Sequence, residues 1–491
     1  MKRALYLTTT LPYVNAPAHI GFALELVQAD IIARYRALCG DDIFFNTGTD
    51  EHGLKVFRKA QEEGKDTKVY TDEYAAKFRS LKEKLNLHPD LHFIRTTDPN
   101  HKKAAQEMWR RCDAAGDIYK KKYKGLYCIG DEAFIKESEL VNGKCPNHPS
   151  MKPVEVEEEN YFFRLSNYGD KLLEYLSRED VIVPEWRREE AIRFVKDGLE
   201  DFSISREKSR LPWGVTVPGD DSQVLYVWFD ALTNYISTLG WPDDKDGLYK
   251  KFWEDEDGET LQLAGKDQIR FQSIMWQAML MSAGLPTTDC VVYHGFITSG
   301  RHKMSKSLGN VIDPLAIVDE YGVDALRYFL ARHVHPFEDS DFTMERFKKA
   351  YNADLANGLG NFVSRVMKLS EQYVDNISSS IGFYDFQELE KQIDSPATRK
   401  YFSALDDFNF NVAVDAIWEE ISFGDQLMVK DEVFKRLKTE TVAKEELAKN
   451  FVQRVWRIAT MIEPLMPLTS RKIKDAVRQN KKPENIFPRK E

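Results

Sequence analysis

Residues 4–47 read ALYLTTTLPYVNAPAHIGFALELVQADIIARYRALCGDDIFFNT, and this stretch decides the fold class. Residues 4–8 form a short apolar run of strand character, followed by a loop of Thr, Pro and Asn. Apolar side chains then recur at Ile20, Leu24, Val27, Ile31, Tyr35 and Leu38. Steps of three and four put them on one face of a helix. Gly40 ends that helix, and residues 42–47 begin a second strand. Strand, glycine-bearing turn, helix and strand open a βαβ unit, and βαβ units build parallel sheets. Ligands of such sheets sit beyond the carboxyl ends of the strands, which is where residues 8–21 and 48–53 fall.

Further along, the character changes between about residues 118 and 218. Two cysteines sit there in Gly- and Lys-containing text, and acidic residues crowd 155–159. Strand-like text returns at 223–229 and 290–297. From residue 351 onward the pattern is helical, with amphipathic stretches at 412–421 and 451–462, while 375–396 and 424–445 read as polar connections. There are no internal repeats. The expected architecture is a split α/β core, residues 1–117 and 219–315, interrupted by an insert at 118–218. A linker at 316–350 leads to an all-helical domain at 351–491.

Composition narrows the class. The 491 residues include 42% apolar and 30% charged side chains, with 29 Phe, 21 Tyr and 9 Trp, enough for several packed cores and too rich in core formers for disorder. No apolar run reaches the roughly 18 residues of a spanning helix, so no membrane partner is expected. The N-terminus breaks at Pro12 before any long apolar stretch, which argues against a signal peptide and for the cytoplasm. Cys39, Cys112, Cys128, Cys145 and Cys290 are few and odd in number, which argues against a disulfide framework. The net charge of −10 does not exclude a nucleic acid, because only a contact face has to be basic. Lys120, Lys121, Lys122 and Lys124, and the tail at 471–491, are the basic runs; each taken alone reads as solvated surface.

Two motifs carry chemistry. His19-Ile20-Gly21-Phe22 lies where loop becomes helix. N–H groups at a helix start favour an anion, a glycine admits close approach, and the imidazole adds a donor. One donor aimed at developing charge is worth roughly 3 kcal/mol where water is excluded. The second motif is Lys303-Met304-Ser305-Lys306-Ser307, preceded by Ser299-Gly300-Arg301 and followed by Leu308-Gly309-Asn310. It reads as a mobile cationic loop able to close on a triphosphate. No G-x-x-x-x-G-K-[ST] string occurs, so phosphate-loop chemistry is excluded.

The pair, separated by about 280 residues, resembles the two signatures of class I aminoacyl-tRNA synthetases. Leu11-Pro12-Tyr13-Val14-Asn15, Thr47-Gly48-Thr49-Asp50-Glu51-His52-Gly53, Asn160-Tyr161-Phe162-Phe163-Arg164, Leu225-Tyr226-Val227-Trp228-Phe229-Asp230-Ala231 and Gly265-Lys266-Asp267 narrow the resemblance to the methionyl-tRNA synthetase family. That resemblance implies a Rossmann-like catalytic domain split by a connective insert with a knuckle, and a helical-bundle domain that binds the anticodon. It implies methionine, ATP with Mg2+, and methionine tRNA as substrates. Asp50 matches the position that binds the methionine ammonium. Leu11, Tyr13, Trp228, Ala231, Tyr235 and His294 match the side-chain pocket, with the Tyr235 hydroxyl or His294 as a polar probe for sulfur. Gly21, Gly265 and Asp267 fall to the nucleotide, as does Ser305, and His19, Lys303 and Lys306 fall to its phosphates. Asn361 and Arg365 match the anticodon-reading positions. No appended C-terminal dimerisation domain follows, so a monomer is expected.

Three departures stand out. Phe22 occupies the place of the first signature's second histidine, which implies a rate deficit or compensation by a neighbour such as His52. In the insert, Cys128-x-x-Asp131 and Cys145-x-x-His148 resemble the family's zinc site with a carboxylate in place of one cysteine; a knuckle that folds without metal is the alternative. The family's Pro-Trp, whose indole stacks on an anticodon base, is absent. Its region reads Asp425-Gln426-Leu427-Met428-Val429-Lys430, with Phe434 the nearest downstream aromatic; either Phe434 substitutes or anticodon selectivity is arranged differently, and a pure packing role is the reading favoured for Phe434. The rivals are a cysteine or branched-aliphatic synthetase, a small-molecule nucleotidyltransferase, and a tRNA-binding paralogue without catalysis. The Leu-Pro-Tyr, Asp-Glu-His-Gly and Trp-Phe-Asp-Ala strings argue against the first. The length of the helical domain argues against the second, and retention of Asp50 and both signature lysines against the third.

Overall fold

The computed structural model describes residues 3–490, apart from 129–132, 136, 147–150, 301, 305–309, 392–394 and 431. Its centre is a six-stranded parallel sheet. The strands are β1 (Ala4–Thr9), β2 (Asp42–Thr49), β3 (His92–Arg95), β4 (Ile182–Val183), β5 (Glu259–Gly265) and β6 (Cys290–His294), in spatial order β3-β2-β1-β5-β6-β4. The helix read from the sequence, α1 (Ile20–Cys39), crosses between β1 and β2 and closes on Gly40 in a left-handed conformation. It is buried on more than one face, because helices of the C-terminal region pack on the side turned away from the sheet. Glu25, Gln28 and Asp30 are inside along with the expected apolar residues, Glu25 against Thr10 and His294 and Asp30 against Arg327 of the C-terminal region.

The two later strand readings are corrected. Residues 223–229 are not one strand. Asp220–Leu225 is a strand of a small antiparallel sheet with Thr216–Val217 and Ser205–Glu207, and Val227–Leu232 is a helix. Residues 290–297 split between β6 and a separate strand, Ile297–Ser299. That strand lies between His302–Lys303 and Ser340–Phe342.

The insert is built on antiparallel strands. Ala133–Ile135, Ile118–Cys128, Val154–Phe163 and Phe202–Ser203 lie in that order. Lys122 and Lys124 face Glu159 and Glu157 in this register, Lys124 pairs with Glu155 at 2.9 Å, and Lys120 with Asp220 at 3.0 Å. The lysine run is thus answered by the acidic run across the ladder, as opposite charges on paired strands favour. The span 118–218 is not one unit, since its two-residue strand β4 extends the central sheet. The helices around β4 (Gly169–Ser177 and Glu185–Lys196) add Leu172, Tyr175, Leu176 and Ala191 to a core shared with Ala4, Tyr6 and Tyr293.

The C-terminal region is helical and shares the other large core with α1. Much of 424–445, expected as a connection, is helix: Phe410–Lys430 runs through its start, and Val433–Arg436 and Thr441–Glu446 follow. None of the helices among the described residues is long and apolar enough to cross a membrane.

Candidate active site

His19 is the N-cap of α1, with extended backbone (φ −113°, ψ 172°), and its Nδ1 accepts the Gly21 N–H at 3.0 Å. A Cβ on residue 21 would stand 2.9 Å from the imidazole, so only glycine lets the ring fold over the helix start. The expectation of free N–H groups here is corrected. The Ile20 amide donates to Ile312 O at 3.1 Å, Gly21 to the ring, and Phe22 and Ala23 to His19 O. What the helix start offers is the imidazole. Burial lowers the His19 pKa, and Nδ1 is occupied as an acceptor, so the neutral ring carries its proton on Nε2. Met304 of the second signature approaches Gly21, its methyl lying 3.8 Å from the Cβ position. Lys303 belongs to the strand beside Ile297–Ser299; Ser305 and Lys306 lie outside the described residues.

Phe22 packs edge-on against Phe78 with ring centroids 5.5 Å apart. His52 does not stand in for the missing histidine. It is buried, and its Nδ1 lies 2.6 Å from Asp230, whose other oxygen is 3.1 Å from His101. Burial pushes the Asp230 pKa up, but the two imidazoles outweigh it and hold the carboxyl below the ordinary range. Replacing Phe22 with His should leave methionine-dependent ATP–pyrophosphate exchange equal or faster, since only one edge contact of about 1 kcal/mol is lost. A large loss would show that the phenyl ring has its own catalytic part.

The string after β2 divides its labour. Glu51 is consumed by Arg95 (2.6 and 2.7 Å), Thr49 and Thr97, and His52 by Asp230. Asp50 is 3% exposed, and its backbone is stitched to the loop after β1 through Asp50 N–Pro12 O (3.0 Å) and Val14 N–Asp50 O (3.3 Å). Tyr13 and Asp50 form a parallel bridge, so the main chains of the two loops run side by side there.

The aromatic wall is formed by Tyr13, 6.5 Å from Trp228 in edge contact, and Phe271, stacked on Trp228 at 3.8 Å. Trp228 and Ala231 share one short helix, and Tyr235 lies on the next, Asn234–Ser237. The Tyr235 hydroxyl hydrogen-bonds Gln272, and burial raises its pKa. His294 ends β6 beside Gly265, which ends β5. Both its nitrogens face acceptors: Nδ1 is 2.8 Å from Gly295 O, and Nε2 is 2.9 Å from Glu25. Burial would lower the His294 pKa, but Glu25 and the carbonyl raise it above the ordinary value. Glu25 in turn accepts from Thr10 N (2.7 Å) and Thr10 Oγ1 (2.6 Å). With both nitrogens engaged by acceptors, His294 has no donor left over, whereas the Tyr235 hydroxyl is engaged only by Gln272 among the hydrogen bonds described. Asp267 lies beside Gly265, its Oδ1 2.9 Å from the Cβ position there. Sequence reasoning missed Glu25, Phe271 and Asp230. A carboxylate set between Leu24 and Leu26 on the apolar half of α1 was the one signal available, for Glu25.

In the helical domain Asn361 is exposed and Arg365 is held by Asp425 at 2.8 Å. Phe434 is 47% exposed with Lys435 over its ring, so the packing role expected for it is not what the structure has. In the insert Cys128 and Cys145 are both 1% exposed, while Asp131 and His148 lie outside the described residues. Among the described residues no three His, Cys, Asp or Glu side chains converge as a metal site.

Comparison with known proteins points to one family. A family model described as tRNA synthetases class I (M) matches residues 5–153 and 149–367. The chain is 41% identical over 486 residues to the methionine–tRNA ligase of Caldanaerobacter subterraneus subsp. tengcongensis, covering 96% of this chain and 74% of that one. It is 39% identical over 481 residues to that of Brucella suis, covering 96% and 92%. Among solved structures, Mycobacterium tuberculosis methionyl-tRNA synthetase in complex with methionyl-adenylate superposes with a TM-score of 0.87 at 36% identity, over 100% of this chain and 99% of that one.

Proposed function

Because the chain belongs to the class I methionine–tRNA ligase family, we propose a division of its chemistry among the residues just described. Methionine binds with its ammonium on Asp50, a charge-assisted pair. Its thioether lies among Leu11, Tyr13, Trp228 and Ala231, apolar and aromatic walls that suit a polarizable side chain. The Tyr235 hydroxyl probes the sulfur, and His294 with Glu25 closes the floor. The nucleoside of ATP rests against Gly265 and Asp267, and its phosphates face His19 Nε2 with Lys303 and Lys306.

The methionine carboxylate attacks the α-phosphorus in line, giving methionyl-adenylate and pyrophosphate. ATP enters with Mg2+, which neutralises phosphate charge. The terminal ribose hydroxyl of methionine tRNA then attacks the activated carbonyl and releases AMP. Positioning and electrostatics supply the acceleration, with no covalent enzyme intermediate. Asn361 and Arg365 read anticodon bases, and exposed Phe434 supplies the stacking face in place of an indole, worth about 1–3 kcal/mol per base. The roles divide along the chain as 1–117 and 219–315 for activation, joined by the part of 118–218 that carries β4 and its two helices; the antiparallel strands of 118–218 form the insert, 316–350 the link and 351–491 the anticodon-binding domain. The reaction is one of translation, and we assign it to the cytoplasm.

One observation carries the reading: Met304 meets Gly21 at the edge of the sheet where Asp50, Gly265 and His294 also end up. Pyrophosphate exchange run with methionine, cysteine, leucine and isoleucine tests it. Exchange with methionine alone supports it, and no methionine-dependent exchange defeats it. The two buried thiols of the insert fit a soft-metal donor set. Cys128, Asp131, Cys145 and His148 would hold one structural Zn2+ there. Protein purified without added zinc is expected to carry about one equivalent by elemental analysis. Absence of near-stoichiometric metal would mean that the knuckle folds without it.

A further inference from the structure

The segment between the last core strand and the helical domain makes an unexpected contact with the nucleotide side of the site. Asp339 accepts the Phe296 N–H on Oδ1 at 2.9 Å, and the Lys266 ammonium reaches both its oxygens, Oδ1 at 2.7 Å and Oδ2 at 2.8 Å. Lys266 also lies over the Phe296 ring, 4.8 Å from its centroid. The next residue, Ser340, donates its N–H to Phe296 O at 2.9 Å. Contact is tight enough that a Cβ on Gly295 would fall 2.1 Å from the Glu338 carbonyl carbon. From there Ser340–Phe342 pairs in parallel with Ile297–Ser299, whose other neighbour is the strand carrying Lys303.

Lys266 sits between Gly265 and Asp267, and Phe296 is two residues after His294. One carboxylate from the linker therefore ties together the ends of β5 and β6 and the hairpin that leads into the second signature. We propose that Asp339 is a positioning residue for the nucleotide: by clasping Lys266 and the Phe296 amide it sets Gly265 and Asp267 in register with the signature hairpin. This rests on reading Gly265 and Asp267 as the nucleoside face. The pair is a quarter to a half exposed, so its attraction is modest, and its effect is geometric.

The test is pyrophosphate exchange with full-length enzyme, with ATP and methionine varied separately. Asp339→Asn keeps an oxygen for the Phe296 amide and removes the charge; Asp339→Ala removes both. The expected result is an ATP KM about fivefold higher in Asp339→Asn and higher again in Asp339→Ala, with methionine KM and kcat within about twofold of wild type. Lys266→Met combined with Asp339→Asn should be no worse than Lys266→Met alone, because both remove one interaction. Asp267→Ala is the control on the premise. If Asp267→Ala raises the ATP KM and Asp339→Asn does not, or if the double variant is additive, the proposal is overturned and the nucleotide reading stands. If Asp267→Ala leaves the ATP KM unchanged, the nucleotide reading fails and takes the proposal with it. A general loss of packing would lower kcat and raise both KM values together, and that outcome also counts against the clasp.

Discussion

Arg327→Met is expected to loosen the helical domain from the α/β core by about 3 kcal/mol or more. Arg327 is fully buried in the helix Val323–Arg332. Its guanidinium meets Asp30 of α1 at 2.6 Å and donates to the carbonyls of Leu465 (2.8 Å), Pro464 (3.1 Å) and Leu85 (3.4 Å). One turn earlier, Asp324 accepts the Thr469 N–H at 2.6 Å. A cation therefore sits on carbonyls following the helix Gln453–Met461, and an anion on the start of Pro467–Arg478, the arrangement that helix dipoles favour. Methionine would fill most of the volume but leave three buried carbonyls without their donor. Asp30 keeps Arg34 at 2.7 Å and the His88 amide, which is why the lower end of the usual 3–5 kcal/mol for breaking a buried pair is the better figure. At roughly 2–4 °C per kcal/mol for a unit of 150–250 residues, the unfolding midpoint should fall by about 6–12 °C. Protease sensitivity should rise near residues 462–469. A midpoint within about 2 °C of wild type would mean that the clamp contributes little beyond what water and Arg34 can replace.

That clamp also shows where sequence reading stops. The βαβ opening was legible because it depends on local period: Ile20, Leu24, Val27, Ile31 and Tyr35 are all inside, and Gly40 takes the left-handed turn that ends the helix. The same helix hides Glu25 and Asp30, whose partners His294 and Arg327 lie hundreds of residues away. No local pattern reports such pairs. A charge set among buried apolar residues hints at a partner but does not name it. The motif strings picked out residues that the fold gathers at the carboxyl end of the sheet, yet not how each is engaged. Nothing in the string shows that Glu51 is taken by Arg95 and His52 by Asp230. Strand β4 was invisible for another reason. Two residues carry no periodicity, and Ile182–Val183 is a strand because β6 offers it an edge. The reading of 223–229 as a strand failed at Tyr226, where apolar residues suited to either state pass from ladder to helix.

The division of labour at residues 50–52 makes Asp50→Asn the most telling change in the site. Its main-chain bonds to Pro12 and Val14 do not involve the side chain, so asparagine preserves the stitching between the loops after β1 and β2. The replacement is nearly isosteric and removes a charge from a position that is 3% exposed. Asparagine keeps an acceptor oxygen and nearly the same volume, so thermal stability should change by no more than about 1 kcal/mol. Binding should change far more. Removing one partner of a buried, hydrogen-bonded charge pair costs about 2–5 kcal/mol, and the ammonium of methionine would be the group left unpaired. At the middle of that range kcat/KM for methionine falls by about two to three orders of magnitude, with the ATP KM little changed. Stability held while methionine affinity collapses is the signature of a charge kept for a ligand. A methionine KM within about threefold of wild type would instead make Asp50 a structural acid, and the ammonium would have to be met by another group.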